Sequence, residues 1–211
     1  MLLSIDTSAG TSVAVVDRDR GIIAEVGERD TRRHAEVVGE LIRLCLDQSG
    51  VAITELSGVV AGMGPGPFTG LRVGIAAANA FALGAGKPVV RVASHDGIAW
   101  QHYASGAGAP LLVVTDARRR EVYWSAYDGA DDVGLPRRTQ GPGLVAPERL
   151  ESVVTGYDGF SRLDAVEVSA GASGMLAEGL YQHGRPFAAR EPLYLRAPDA
   201  TVPGLPKRVT G

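Results

Sequence analysis

Short apolar runs broken by turn residues open the chain, and longer runs at helical spacing follow them. Leu2-Leu3-Ser4-Ile5 reads as a buried strand ending at Asp6-Thr7-Ser8, Ser12 to Val16 as a second, and Ile22 to Val26 as a third, reached through Asp17-Arg18-Asp19-Arg20-Gly21. Three short strands with tight turns predict an antiparallel meander. From about His34 to Asp47, Val38, Leu41, Ile42 and Cys45 fall on one helical face. Val37, Leu41 and Leu44 form a second row beside it, so the apolar arc is wider than one core contact needs. Two readings follow: a deeply buried helix, or one that packs on the core and also on a partner. Gly58 to Gly62 reads as a central strand that runs into Gly64-Pro65-Gly66-Pro67-Phe68-Thr69-Gly70, with Thr69 placed to cap the next helix. That helix extends to about Ala85 without a charge after Arg72. A helix apolar all round is expected to be covered on all sides, and Gly74, Ala76, Ala77, Ala78 and Ala80 would let another backbone come close. A strand over 88–92 and a helix over about 95–103 complete the first half.

The second half restarts the pattern. Leu112-Val113-Val114-Thr115-Asp116 echoes Leu2-Leu3-Ser4-Ile5-Asp6, with a turn and a further strand after each. The predicted fold is therefore α/β, a duplicated βββαβα unit in two similar subdomains, 1–105 and 106–196. This is the layout of the actin, Hsp70 and sugar-kinase superfamily. The repeat is less regular here: Asp128 to Gly143 is turn-rich and expected to be mobile, Asp164 to Val168 reads as a strand, and Gly174 to His183 as a short helix. Residues 197–211 hold three prolines and little apolar periodicity, which predicts a disordered tail.

Charge and cysteine content narrow the setting. A net charge of −3 gives no overall pull towards nucleic acid, so any RNA contact needs a local patch or a partner. Cys45 is the single cysteine, so no internal disulfide forms and a reducing cytoplasm is the expected location. The acid at Asp6 argues against a signal peptide, and the longest uncharged apolar stretch, Val73 to Gly86, is short for a membrane span.

Four segments in order carry a resemblance: Ser4-Ile5-Asp6-Thr7-Ser8 with Ser12-Val13-Ala14-Val15; Arg33-His34-Ala35-Glu36; Gly64 to Gly74; and Asp116-Ala117-Arg118 followed by Glu121-Val122-Tyr123-Trp124. Pro192-Leu193-Tyr194-Leu195-Arg196 adds a weaker fifth. In order and spacing they resemble the TsaB (YeaZ) family. The resemblance implies an actin-like fold and pairing with the paralogue TsaD, which places a threonylcarbamoyl group on the adenosine beside the anticodon of tRNAs reading codons that start with A. It also implies a TsaE-type ATPase in the same set and a scaffold role for this chain. Pro67 departs from the family pattern, where Ser is usual; it stiffens the loop and removes a hydroxyl.

The residues bear on chemistry in five ways. TsaD-like enzymes carry a His-x-x-x-His metal pair, and the aligned positions here hold Ser94 and Ile98. His95 and His102 are two turns apart, about 10 Å of rise, too far for one ion held from a single helix. No metal is expected. Asp6, Thr7, Ser8 and Asp116 occupy the two loops that grip phosphates in the superfamily, but Arg118-Arg119-Arg120 stands where glycine would let backbone approach. Those acids either contact a nucleotide or satisfy their own turns. The Gly64–Gly74 loop precedes a helix N-terminus suited to an anion, or simply forms the turn that packs the helix. His34, His95, His102 and His183 are isolated in sequence and no Gly-x-Ser-x-Gly elbow occurs, which argues against a protease. Arg118 to Arg120, with Arg137-Arg138, could touch RNA phosphate or form a solvated face.

By subtraction the sequence predicts a non-catalytic scaffold that forms a heterodimer with a TsaD-like protein and reaches tRNA through the complex. The expected partner face is two helices, with His34, Val37, Leu41, Leu44 and Cys45 on one and Leu71, Val73, Gly74, Ala77, Ala78 and Phe81 on the other. No tightly bound cofactor is expected; a nucleotide at the partner interface, and a homodimer of the isolated chain, stay open. The rivals are an ATP-dependent phosphotransferase of the sugar-kinase type and a metalloenzyme.

Overall fold

The computed structural model describes residues 1–30 and 33–196. The predicted tail, 197–211, lies outside the described residues. β1 (Leu2–Asp6), β2 (Thr11–Asp17) and β3 (Gly21–Glu28) form the meander, followed by α1 (His34–Ser49), β4 (Gly58–Gly62), α2 (Phe68–Ala85), β5 (Val89–Val92) and α3 (Ser94–Ala104). The second half contributes β6 (Leu111–Asp116), β7 (Val122–Ala130), β8 (Pro136–Val145), the single turn α4 (Leu150–Val153), β9 (Ser161–Ala165) and α5 (Ala170–Gln182).

The first sheet has the order β3-β2-β1-β4-β5 and the second β8-β7-β6-β9. In each, the first strand pairs antiparallel with its hairpin neighbour and parallel with the strand after the crossover, as with Leu3 opposite Val15 and Val59, and Val113 opposite Ser125 and Leu163. Among the described residues, the second sheet has no counterpart of β5. After α5 the chain instead runs along the edge of the first sheet, where the Ala188 and Leu193 N–H groups donate to the Arg91 and Met63 carbonyls.

Because β1 and β4 are covered on both faces, Leu3, Ile5, Val59 and Ala61 point towards α1 and α2, while Val60 packs with Leu176 and Ala177 of α5. α3 packs on the second sheet through Ile98, Ala99 and Tyr103 against Leu111, Val113 and Tyr127. Each half thus lends its last helix to the other half's sheet. The sequence boundary near residue 105 falls between α3 and β6, but it does not separate two packing units.

Two local expectations are corrected. Residues 128–143 are ordered into a hairpin, where Asp131 Oδ1 accepts from the Val133 and Leu135 N–H groups; the strand period was hidden because the β7–β8 ladder shifts register three times. The strand placed over 164–168 lies three residues earlier, with Val166 beyond its end and 83% exposed.

Candidate functional site

The loops at the carboxyl ends of β1 and β4 are locked together by Asp6 and Thr7. The buried Asp6 carboxylate accepts from the Ser8 N–H (2.8 Å) and Ser8 hydroxyl (2.5 Å) at one oxygen, and from the Ser94 hydroxyl (2.6 Å) at the other. Ser94 in turn accepts from the Gly64 N–H at 3.0 Å. Burial raises the Asp6 pKa, and these hydrogen bonds work against that rise. The Thr7 hydroxyl donates to the Gly70 carbonyl (2.7 Å) and accepts from the Gly74 N–H (3.1 Å). A Cβ on Gly74 would lie 2.1 Å from that hydroxyl oxygen, so only glycine lets α2 come this close. The Gly64–Gly74 loop is therefore a packing turn clamped by β1. α2 starts at Phe68 with Pro67 at its cap position, so Thr69 sits inside the first turn and does not cap. Arg72 offsets its unfavourable place near the helix N-terminus by lying 4.0 Å over the Phe68 ring.

The second-half loop repeats the first. Asp116 Oδ1 accepts from the Arg118 N–H at 2.9 Å, as Asp6 does from Ser8, but Asp116 is exposed. The two loops meet across a cleft of about 380 Å3 bordered by Ser8, Arg29, Pro67, Asp116, Arg118 and Asp164. Of the four residues expected to touch a cofactor, Ser8 and Asp116 line this cleft, while Asp6 and Thr7 are buried behind it.

Arg118, Arg119 and Arg120 form the β6–β7 turn with φ of 63°, 53° and 61°. In this left-handed region a Cβ costs about 1–2 kcal/mol per residue. The sequence marks the three charges but not their backbone. Arg137 and Arg138 do not join them: they lie at the far end of β7, where Arg137 pairs with Asp128 at 3.1 Å and Arg138 faces Asp96 at 3.6 Å. The closing segment ties this hairpin to the first half, since Arg196 pairs with Glu121 and the Tyr194 ring lies 4.8 Å from that of Phe68.

His95 and Cys45 serve packing. His95 is fully buried, with ring nitrogens 2.9 Å from the Ser125 and Thr115 hydroxyls. Burial, with Arg138 nearby, lowers its pKa to about 3, so it is neutral at physiological pH. Ser94 holds Asp6, and Ile98 belongs to the second core. Among the described residues no group of three or more His, Cys, Asp or Glu side chains is placed to hold a metal ion. Cys45 is buried, and burial pushes its thiol up to about 11, far from the reactive thiolate.

The eleven residues expected at a partner face divide by exposure. His34, Cys45, Leu71, Gly74 and Ala78 are buried within the chain, His34 bonded to the Thr11 hydroxyl at 2.8 Å, so these five are corrected to core positions. Helical spacing could not separate the inner row from the outer. Val37, Leu41, Leu44, Val73, Ala77 and Phe81 are half-buried and keep surface. α2 is not covered on all sides: Ala76, Ala80 and Leu83 are exposed, Leu83 at 85%. Its length and mean hydropathy of 1.3 reach those of a membrane span, but Leu71, Gly74, Ala78 and Ala82 pack on the sheet as in a core helix.

A feature that the sequence did not announce closes the gap between the halves. The Glu25 carboxylate, on β3, accepts from the Ser12 hydroxyl (2.8 Å), the Ser169 hydroxyl (3.0 Å) and the Gly171 N–H (3.1 Å), so it occupies the N-terminus of α5. No local spacing could show it, since Glu25 and Gly171 stand 146 residues apart. Because the site is exposed to solvent, Glu25→Ala is expected to cost only about 1–2 kcal/mol of stability, read as a lowered urea midpoint at unchanged m.

Two sheets built on one repeated pattern, hairpin loops with equivalent aspartates facing one cleft, and two helices shared between the halves define the actin-like class of α/β proteins. The model of the tRNA N6-adenosine threonylcarbamoyltransferase (TsaD) family matches residues 10–152. An uncharacterized protein of Mycobacterium tuberculosis is 36% identical over 203 residues, covering 94% of this chain and 93% of its own. The Escherichia coli tRNA threonylcarbamoyladenosine biosynthesis protein TsaB is 30% identical over 147 residues, 70% of this chain and 63% of that protein. The structure of YeaZ from Pseudomonas aeruginosa superposes with a TM-score of 0.71 at 26% identity, covering 87% and 92% of the two chains. The chain belongs to the TsaB (YeaZ) branch of the TsaD family.

Proposed function

We propose that this chain is the non-catalytic scaffold subunit of tRNA threonylcarbamoyladenosine synthesis in the cytoplasm, binding a TsaD-like catalytic paralogue as a heterodimer. The observation that carries the reading is the uncovered apolar surface of α2. Phe68, Ala76, Ala80 and Leu83 are exposed and Val73, Ala77 and Phe81 half-buried, with Val37, Leu41 and Leu44 of α1 beside them. Apolar surface of this kind on a folded chain, interrupted on α2 by the exposed Arg72 and Asn79, favours a helix-on-helix interface. The kinship with TsaB supports the choice of partner. A TsaE-like ATPase joins the same complex, and tRNA is reached through it. The chain by itself holds no nucleotide tightly, since the loops around the cleft between Ser8 and Asp116 satisfy their own hydrogen bonds and carry Arg118 in place of glycine; any nucleotide there would need the partner's groups at the assembled interface.

The direct test is association of the purified chain with a TsaD-like protein, by co-elution and calorimetry. A 1:1 or 2:2 complex is the expected result; no association at micromolar concentration overturns the reading. The chain alone is expected to hydrolyse ATP no faster than background in the presence of magnesium. Turnover that is lost in Asp116→Ala would favour a phosphotransferase.

A further inference from the structure

We propose that a cleft at the seam of α3, α5 and the β7–β8 hairpin binds a free aliphatic α-amino acid as its zwitterion. The cleft holds about 270 Å3. That is below the roughly 300–1,000 Å3 of pockets for drug-sized ligands, so its ligand is small. Its apolar walls are Leu135 of the hairpin, Leu176 and Leu180 of α5, and Phe187 of the closing segment. All four belong to or pack on one core cluster, so the walls stand in place without a ligand.

The charged side chains on the lining are Asp96 and Arg138. They lie 3.6 Å apart, and their side chains keep 26% and 28% of their surface, so a ligand can reach both. At that separation they attract each other without sharing a hydrogen bond. The Tyr127 hydroxyl donates to Asp96 Oδ1 at 2.8 Å and orients that carboxylate. Among the described residues neither the second Asp96 oxygen nor the Arg138 guanidinium has a hydrogen-bond partner. Donors and an acceptor are therefore left over beside an apolar chamber. Charge selects the kind of ligand. The pair is neutral as a whole, so a simple anion drawn to Arg138 is repelled by Asp96, and a simple cation the reverse. A zwitterion is attracted at both ends: its carboxylate suits the planar fork of Arg138 and its ammonium suits Asp96. In an α-amino acid both groups sit on one carbon, which matches two receptors this close together. Its side chain is left to fill the space between Leu135, Leu176, Leu180 and Phe187. The site lies on the α5 side of the first sheet, opposite α1 and α2, so its occupancy is separable from partner binding.

Calorimetric titration of the full chain with L-leucine tests the site. Binding with a Kd of about 1 mM or tighter is expected. Three probes each lack one part of the ligand: glycine the apolar tail, 4-methylpentanoate the ammonium, and 3-methylbutylamine the carboxylate. Each is expected to bind at least about tenfold more weakly than leucine. Asp96→Asn, which keeps an acceptor for the Tyr127 hydroxyl, and Arg138→Gln are each expected to weaken leucine binding about tenfold or more at an unchanged circular-dichroism spectrum. Arg138 stands on the exposed part of β8, so Arg138→Gln decides the matter if Asp96→Asn does not fold. No binding of leucine at ~10 mM overturns the proposal. So does equal affinity for 4-methylpentanoate, which would make the cleft a simple anion site, or full affinity in Arg138→Gln.

Discussion

Gly62→Ala is expected to cost about 3–5 kcal/mol of stability, enough to unfold a chain of ordinary marginal stability. A Cβ at this position would lie 2.0 Å from Asp6 Oδ2 and 2.6 Å from its Cγ. A carboxylate at the end of a flexible side chain could usually step aside. Asp6 cannot, because it is 2% exposed and held by Ser8 and Ser94. Displacing it strands the Ser94 hydroxyl and the Ser8 N–H in the interior, at about 1–3 kcal/mol for each unmet group, on top of the overpacking itself. Urea denaturation at constant m measures the loss. A double-mutant cycle tests the cause: Asp6→Ala is destabilising alone, but Gly62→Ala added to it is expected to cost under about 1 kcal/mol, since the clash is gone. Additive losses would show that the Gly62 constraint comes from elsewhere.

Leu44→Glu and Ala77→Glu are expected to weaken association with the catalytic partner by about three orders of magnitude while leaving the chain folded. Both sites are half-buried at the surface, so the new carboxylate stays hydrated in the free chain. In a helix-on-helix seam it would be stripped of water without a partner charge, at several kcal/mol, and three decades in affinity correspond to about 4 kcal/mol. Leu83, 85% exposed, gives an independent probe further along α2. Full-strength binding by folded Leu44→Glu and Ala77→Glu would place the interface elsewhere and remove the physical basis of the scaffold reading. Charges at Cys45, Leu71 or Ala78 would not serve, because these side chains lie in the core and their loss would unfold the chain.

The legibility of the molecule follows the range of its interactions. β1, β2, β4, α1 and α2 were readable because a covered strand and an amphipathic helix each repeat a local period, as in the unbroken Gly58–Gly62. Asp6 and Asp116 were readable as turn formers because each bonds an N–H two residues on. The β7–β8 hairpin was not, since bulges break its alternation. The outer and inner rows of α1 and α2 were confused because composition alone cannot show where a neighbour stops.

By itself, then, the sequence determined the duplicated α/β plan, the family and the pair of helices that offers an apolar face, all of which rest on local periods and short motifs. Only the tertiary structure decided which side chains of those helices remain at the surface, that α3 and α5 pack across the halves, and that Glu25 closes on the N-terminus of α5. These depend on contacts between residues far apart in the chain, where burial is a property of the neighbour and not of the residue. The left-handed turn at Arg118 to Arg120 belongs with them, because the β6–β7 pairing that closes it imposes a backbone that arginine would not choose.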